Sequence, residues 1–287
     1  MSEKIKIVFF GTPDYVLPIT ESLYKTFKLP NKEYGLIAVV TQPPKPAGRG
    51  NKLEYSAVDE WAHKHNIQIV FDLDKIPEAD LGVVASFGKI IPKSVIDKFK
   101  FGILNIHPSE LPKYRGSSPI QKQFLNNEKQ TAITVIKMDE KMDHGQIVSQ
   151  TKVNISENEN AEELRNRLFY QSADIVSDLI PSFIKGKIKL REQNHEEATF
   201  TKMITKQDGF VESILITKDP ERLLSLLKAM YPWPGVWTLV DGKRLKIISA
   251  HKENEKLIID RVQLEGKNEV EWNQFRSAYP QIAKALS

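Results

Sequence analysis

Short apolar runs separated by helix-forming stretches fill the first 150 residues, and no other feature of the chain constrains its fold as strongly. The runs are Lys4–Phe10, Leu36–Thr41, Ile67–Phe71, Leu81–Ser86 and Ile103–His107. Most are continuously apolar, as strands buried on both faces are. Between them stand helix signals. Thr12 reads as an N-cap with Pro13 at the first helical position, and Pro18 then kinks that helix or moves its start. Ser56, with Asp59 three residues on, opens a helix through His65. Pro92–Phe99 is a short helix, and Ser118–Pro119 opens another. This alternation predicts an α/β domain, a Rossmann-like and mostly parallel sheet with helices on both faces.

Beyond residue 130 the period changes. Thr131–Met138 and Gln146–Val153 are strand-like, and Asn160–Ile184 carries Leu164, Leu168, Val176 and Ile180 at helical spacing. Gly186–Thr205 is polar and aperiodic and reads as a linker. A helix over Pro220–Met230 follows, then the turn Pro232–Gly235 and short strands at Val236–Val240, Lys243–Ser249 and Lys256–Val262. Asp241-Gly242 between the first two strands is a hairpin signal. The expected organisation is a domain over 1–185, a linker over 186–205 and a smaller β-rich domain over 206–287.

The 287 residues include no cysteine, which removes disulfides, thiolate nucleophiles, Fe–S clusters and cysteine-ligated zinc. His63 and His65 lie two apart on a predicted helix and share no face, so no metal is expected. No apolar stretch approaches the ~18 residues that span a bilayer, and the first apolar run is too short for a signal peptide. A cytoplasmic protein is expected. The first strand runs into Gly11-Thr-Pro-Asp-Tyr15, not GxGxxG, so NAD binding is disfavoured, and GxxxxGK[ST] and GxSxG are absent. With no activated serine or cysteine, direct transfer between two bound substrates fits better than covalent catalysis.

Three constellations carry chemistry. Asn105 and His107 lie two apart at the carboxyl end of a predicted strand, so both side chains project to one face, where open α/β sheets bind ligands. An amide donor beside an imidazole suits oxyanion stabilisation and proton transfer, although a histidine merely satisfied at a strand end is about as common a reading. Met138–Gly145 gathers Asp139, Glu140, Asp143 and His144 in one loop. Asp143 there would orient the His107 ring, while a solvated turn fits Asp139 and Glu140 better than a catalytic role. Pro43–Leu53 is rich in proline and glycine and carries Lys45, Arg49 and Lys52. It suits a phosphate backbone and equally a plain mobile surface loop. The net charge is +4, and the last third, from Gly186, holds 17 basic against 14 acidic residues, 17 − 14 = +3 of it. That excess matters only beside a second cationic signal.

Together these segments resemble the folate-dependent formyltransferases, and within them the branch acting on methionyl initiator tRNA. The resemblance stands on Asn105-Ile-His107-Pro-Ser-Glu-Leu-Pro-Lys-Tyr-Arg115-Gly116, on Met138-Asp-Glu-Lys-Met-Asp143-His-Gly145, on Gly11–Tyr15, on Lys45–Leu53 and on Pro232-Trp-Pro-Gly235. Glu110 and His144 depart from the pattern. The resemblance implies Asn105, His107 and Asp143 as catalytic residues. It implies 10-formyltetrahydrofolate as donor, held by the loop Phe87, Gly88, Lys89, Ile90 and Ile91 with Asp139 opposite, and no metal. It places Thr12 and Tyr15 beside the acceptor amine and Lys45, Arg49 and Lys52 on the tRNA, with an OB-like C-terminal domain supporting the tRNA. A monomer is expected. The alternatives are a sugar-nucleotide amine N-formyltransferase with the same core and a non-catalytic RNA-binding protein on this scaffold.

Overall fold

The structure is a computed structural model that describes residues 4–27, 34–47, 51–213, 218–254 and 256–284. Its packing divides the chain into two compact units that are not contiguous in sequence. The first comprises Met1–Arg115, Thr131–Val153 and Arg165–Phe200, and the second Gly116–Gln130, Asn154–Leu164 and Thr201–Ser287.

The first unit is built on a seven-stranded sheet. Its strands are β1 (Ile5–Phe10), β2 (Tyr34–Val40), β5 (Gln68–Val70), β6 (Leu81–Val84), β7 (Ile103–His107), β9 (Gln130–Lys137) and β10 (Gln146–Asn154). The remaining short strands of this part of the chain are β3 (Lys45–Ala47), β4 (Lys52–Glu54) and β8 (Arg115–Gly116). The sheet order is β10-β9-β7-β6-β1-β2-β5. β1 pairs in parallel with β2 and β6, and β6 with β7, whereas β9 runs antiparallel to β7. Ile7 and Phe9 point to one face of the central strand and Val8 and Phe10 to the other. All four are fully buried, so both faces are covered. Burying each such side chain stabilises the fold by about 1.5–3 kcal/mol. The Phe10 ring meets Phe87 and Phe99 edge-on at 5.7 and 6.0 Å, which anchors the loop after β6 to the core.

The chain leaves β1 toward β2 on one side and returns to β6 on the other. The switch point of the sheet therefore lies between β1 and β6, at their carboxyl ends. Two local expectations change here. Thr12 does not cap a helix. A single 3₁₀ turn (Asp14–Val16) comes first, and α1 (Leu17–Thr26) starts at Leu17 with Pro18 in its first turn, where a missing N–H costs nothing. The Thr12 hydroxyl instead donates to Phe87 O at 3.1 Å and ties the two switch-point loops together. The Pro43–Leu53 segment is no plain loop, since β3 and β4 pair antiparallel with Lys45 opposite Glu54. Arg49 lies outside the described residues.

The capping-box variant expected at Ser56 forms by half: the Ser56 hydroxyl accepts from Asp59 N and α2 spans Ala57–His65, but the Asp59 carboxylate returns no hydrogen bond to Ser56 N. The short helix after Pro92 is α3 (Lys93–Ile96), and α4 is Pro119–Leu125. The long helix is α5 (Ala161–Ile184). The segment 186–205, polar and aperiodic, carries a 3₁₀ turn (His195–Glu197) and β11 (Phe200–Thr201), and Arg191 pairs with Ile147 through both backbone hydrogen bonds.

In the second unit, α6 (Pro220–Met230) packs on α4, with Ser225 Oγ donating to Asn127 Oδ1 at 2.6 Å. Asp219 caps α6 by accepting from Arg222 N, and Pro220 holds the first turn. An antiparallel sheet follows in the order β12 (Val236–Val240), β13 (Lys243–Glu253), β14 (Lys256–Leu264), β15 (Glu269–Glu271). The β12–β13 hairpin turns at Asp241 and Gly242, both at positive φ as a tight hairpin needs. β15 and the two closing helices, α7 (Trp272–Ala278) and α8 (Pro280–Lys284), escaped the sequence reading because each is short; Phe275 of α7 is 1% exposed. Among the described residues, no helix is long and apolar enough to cross a membrane.

Candidate active site

β7 delivers Asn105 and His107 to the carboxyl edge of the sheet, two residues apart and so on one face. Asp143 reaches them from the loop between β9 and β10. Asn105 Nδ2 donates to Asp143 Oδ1 at 3.0 Å, and His107 Nδ1 stands 3.6 Å from Asp143 Oδ2. The three groups that sequence reasoning singled out therefore converge. His107 Nε2 is 2.9 Å from the carbonyl of Tyr114, which accepts only, so Nε2 carries a hydrogen. Nδ1 is then the nitrogen turned to Asp143, and its separation is longer than a direct hydrogen bond. Two acceptors face each other there unless a proton or a substrate group stands between them. His107 is 5% exposed, so that encounter takes place with little screening by water.

Both partners of His107 sit on left-handed backbone, Asp143 at φ 50° and Tyr114 at φ 62°. Such a conformation costs about 1–3 kcal/mol in a non-glycine residue and persists only where the surroundings enforce it. Gly145 is one enforcing element. A Cβ there would lie 1.9 Å from Lys137 O, so the loop can close against β9 only with glycine at this place.

The other elements come from the segment after Lys189. Gln193 Nε2 donates to Asp143 O at 2.9 Å and to Gly145 O at 2.7 Å, and Arg115 Nη2 donates to Gln193 Oε1 at 2.7 Å. Thr199 Oγ1 accepts from Tyr114 N, and Thr199 O from Arg115 N, each at 2.8 Å. Arg115 also donates to His195 Nδ1 at 2.8 Å. Burial holds the Arg115 guanidinium below its usual range, against the pull of Asp143 and Asp139. His195 lies face to face with His144, centroids 3.9 Å apart, and His144 Nδ1 donates to Asp139 Oδ2 at 2.6 Å. Desolvation lowers the His195 pKa, and the neighbouring His144 and Arg115 lower it further. Sequence reasoning missed Tyr114, Gln193, His195 and Thr199. No local pattern marks a polar side chain whose hydrogen-bond partners lie about 50–85 residues away in sequence.

The loop after β6 has an anchored start and end with an exposed middle. Phe87 and Ile91 are buried, whereas Gly88, Lys89 and Ile90 are exposed, Ile90 at 77%. Phe87 O accepts from Thr12 Oγ1 and from Gln42 Nε2, which satisfies both lone pairs. Tyr15 is placed otherwise than Thr12: its ring packs on Phe169 at 5.0 Å with Arg165 4.2 Å from its centre. Lys45 and Lys52 stand at the two ends of the β3–β4 hairpin. A cavity of about 740 Å³ borders the Asp143 loop, lined by Met138, Asp139 and His144 with Lys93 and Lys100. Among the described residues, no group of three or more histidine or carboxylate side chains is arranged to hold a metal.

Residues 5–180 match the formyl transferase family model and residues 203–257 the formyl transferase C-terminal domain model. The chain belongs to the formyl transferase family. It is 34% identical to a methionyl-tRNA formyltransferase of Caldanaerobacter subterraneus over 86% of this chain and 80% of that one. It is 30% identical to another of Geotalea uraniireducens over 96% and 95%. Among solved structures, a methionyl-tRNA formyltransferase from Clostridium thermocellum superposes with a TM-score of 0.61 at 19% identity, covering 93% of this chain and 99% of that one. An N-formyltransferase from Helicobacter canadensis, solved with folinic acid and dTDP-3-aminofucose, gives 0.66 at 18% identity over 89% and 95%. At such identities the two structures speak for the formyl transferase fold alone.

Proposed function

We propose that this formyl transferase moves the formyl group of 10-formyltetrahydrofolate to the α-amine of methionine on initiator tRNA. The observation that carries the acceptor is the 34% identity with a methionyl-tRNA formyltransferase over most of both chains. The reaction itself is supported by the convergence of Asn105, His107 and Asp143 at the open end of the sheet.

In this reading the neutral amine attacks the formyl carbon. The new C–N bond sends the carbonyl π pair to oxygen, giving a tetrahedral oxyanion. Asn105 Nδ2 and His107, whether protonated or simply hydrogen-bonding, donate to that oxygen. The Asp143 carboxylate takes the ammonium proton, directly or through water, and the proton passes to the departing folate N10 as its bond to carbon breaks. The carbonyl re-forms, leaving a formamide and tetrahydrofolate. Because both substrates are held together, positioning supplies a large share of the rate.

Gly88, Lys89 and Ile90 present backbone to the pterin between the anchors Phe87 and Ile91, and Asp139 borders it from the other loop. Thr12 and Tyr15 border the acceptor. The hairpin cations Lys45 and Lys52, with Arg49 between them, contact the acceptor-stem phosphates. Residues 1–185 carry the catalysis, 186–205 join the parts and the OB-like region 206–287 supports the tRNA. The protein works in the cytoplasm as a monomer.

The test offers the same donor with methionyl initiator tRNA and, separately, with an amino-sugar nucleotide. Formylation of the tRNA alone is expected. Transfer to the sugar alone would overturn the acceptor, and transfer to neither would overturn the reaction.

A further inference from the structure

The segment from Arg191 to Thr199 has the composition of a connecting loop, yet Gln193 within it is only 5% exposed. Both ends of its amide are used. The Nε2 group donates to the carbonyls of Asp143 and Gly145, and Oε1 accepts from Arg115. Two donors and one acceptor thus close on three backbone or side-chain partners, which makes the buried amide well satisfied. Six residues later Thr199 holds Tyr114 N with its hydroxyl and Arg115 N with its carbonyl.

The two residues held in this way are the ones that face His107, and both are on left-handed backbone. Asp143 turns its carboxylate to Nδ1 of the ring, and Tyr114 turns its carbonyl to Nε2. Arg191 fastens the start of the segment to Ile147 through both backbone hydrogen bonds. Arg115 joins the two grips, since it donates to Gln193 and is itself held by Thr199.

We propose that Arg191–Thr199 is a positioning strap. Gln193 and Thr199 act through Asp143 and Tyr114 to set the carboxylate and the imidazole in reacting geometry. Neither residue touches substrate. The proposal rests on the formyl-transfer reading for its kinetic arm only, because the strap also has a structural signature.

The test uses Gln193→Leu and Thr199→Val in the full chain. Gln193→Leu keeps the volume and removes the amide, and Thr199→Val removes the hydroxyl. Hydrogen exchange is followed over residues 138–145 and 112–116. Faster exchange is expected in the first segment for the glutamine variant and in the second for the threonine variant, with the rest of the chain unchanged. With 10-formyltetrahydrofolate and methionyl initiator tRNA, kcat is expected to fall about 10²-fold for a displacement near 1 Å. KM for both substrates should stay near wild type, and the pH–rate profile should shift. Thr199→Ser returns the hydroxyl and should restore the profile.

Unchanged exchange together with a wild-type kcat and pH profile would overturn the strap. Global loosening, or kcat falling only in step with the folded fraction, would overturn it in favour of a plain structural tie. A wild-type chain without transferase activity, or a fully active Asp143→Asn, would sink the functional reading instead, and the exchange data would still decide the strap.

Discussion

Asn105 and Asp143 are joined by a hydrogen bond of 3.0 Å that spans 38 residues of sequence. The donor comes from the middle of a buried strand and the acceptor from a loop held on left-handed backbone. A rigid donor is thereby set against a carboxylate whose own position is enforced from elsewhere. Replacing Asn105 with alanine removes one donor to the developing oxyanion. A fall in kcat of about 10²–10³-fold is expected, with the melting temperature little changed. His107→Ala and Asp143→Ala should abolish transfer in the same assay.

Gly145 is the position where the loop tolerates no side chain, because a Cβ would stand 1.9 Å from the backbone oxygen of Lys137. Gly145→Ala should push the loop off β9 and carry Asp143 with it. Transfer is expected to be lost although Asn105, His107 and Asp143 are all intact. Full activity in this variant would mean that the loop relaxes without moving the carboxylate.

His195 must be unprotonated at Nδ1 to accept from Arg115, and its pKa lies below the ordinary histidine value because of partial desolvation and the nearby His144 and Arg115, although the residue itself is exposed. The sign follows from linkage. The unfolded chain takes up this proton near pH 6.5, before the folded chain does. Stability is therefore held above about pH 6.5 and lost as pH falls from there through the folded pKa. Urea midpoints measured between about pH 7 and pH 5 should fall less in His195→Gln than in the wild type. Parallel slopes would count against it.

Asp59 behaves in the opposite sense. Its side chain is fully buried, with His63 Nε2 3.2 Å away, and burial raises its pKa. The folded state therefore favours the protonated carboxyl. Its contribution is fully present below about pH 4, the unfolded value, and lost as pH rises through the raised folded pKa. Asp59→Asn should melt higher than wild type at neutral pH, and the gain should shrink toward acid pH. The Ser56 cap, made to the backbone of residue 59, is kept in this variant.

The cations Lys45, Arg49 and Lys52 of the hairpin segment should each act on tRNA and not on folate. Alanine at any of them is expected to raise KM for the tRNA and to reduce the salt dependence of its binding by about one unit of slope. KM for the folate donor should not move. Equal effects on both substrates would make the hairpin a structural part of the site.

By itself the sequence determined the sheet, because runs such as Ile5–Phe10 and Leu36–Val40 can satisfy their backbone and bury both faces only inside a covered parallel sheet. It also determined that Asn105 and His107 share a face, since a strand has a period of two. Local stereochemistry marked the cap at Ser56 and the hairpin at Asp241-Gly242, where a few adjacent residues suffice. Only the tertiary structure decided what holds the site. The Thr12 hydroxyl had a local role open to it as a cap and took a distant one on Phe87 O, because the switch point brought that carbonyl within reach. Gln193 and Thr199 look like any polar loop residues in the chain. They become partners of Asp143 and Tyr114, Gln193 buried and Thr199 exposed, because folding returns residues 191–199 to a turn and a loop laid down some 50–85 positions earlier. Periodicity records which face a residue presents, and it carries no information about which remote backbone atom a side chain will meet there.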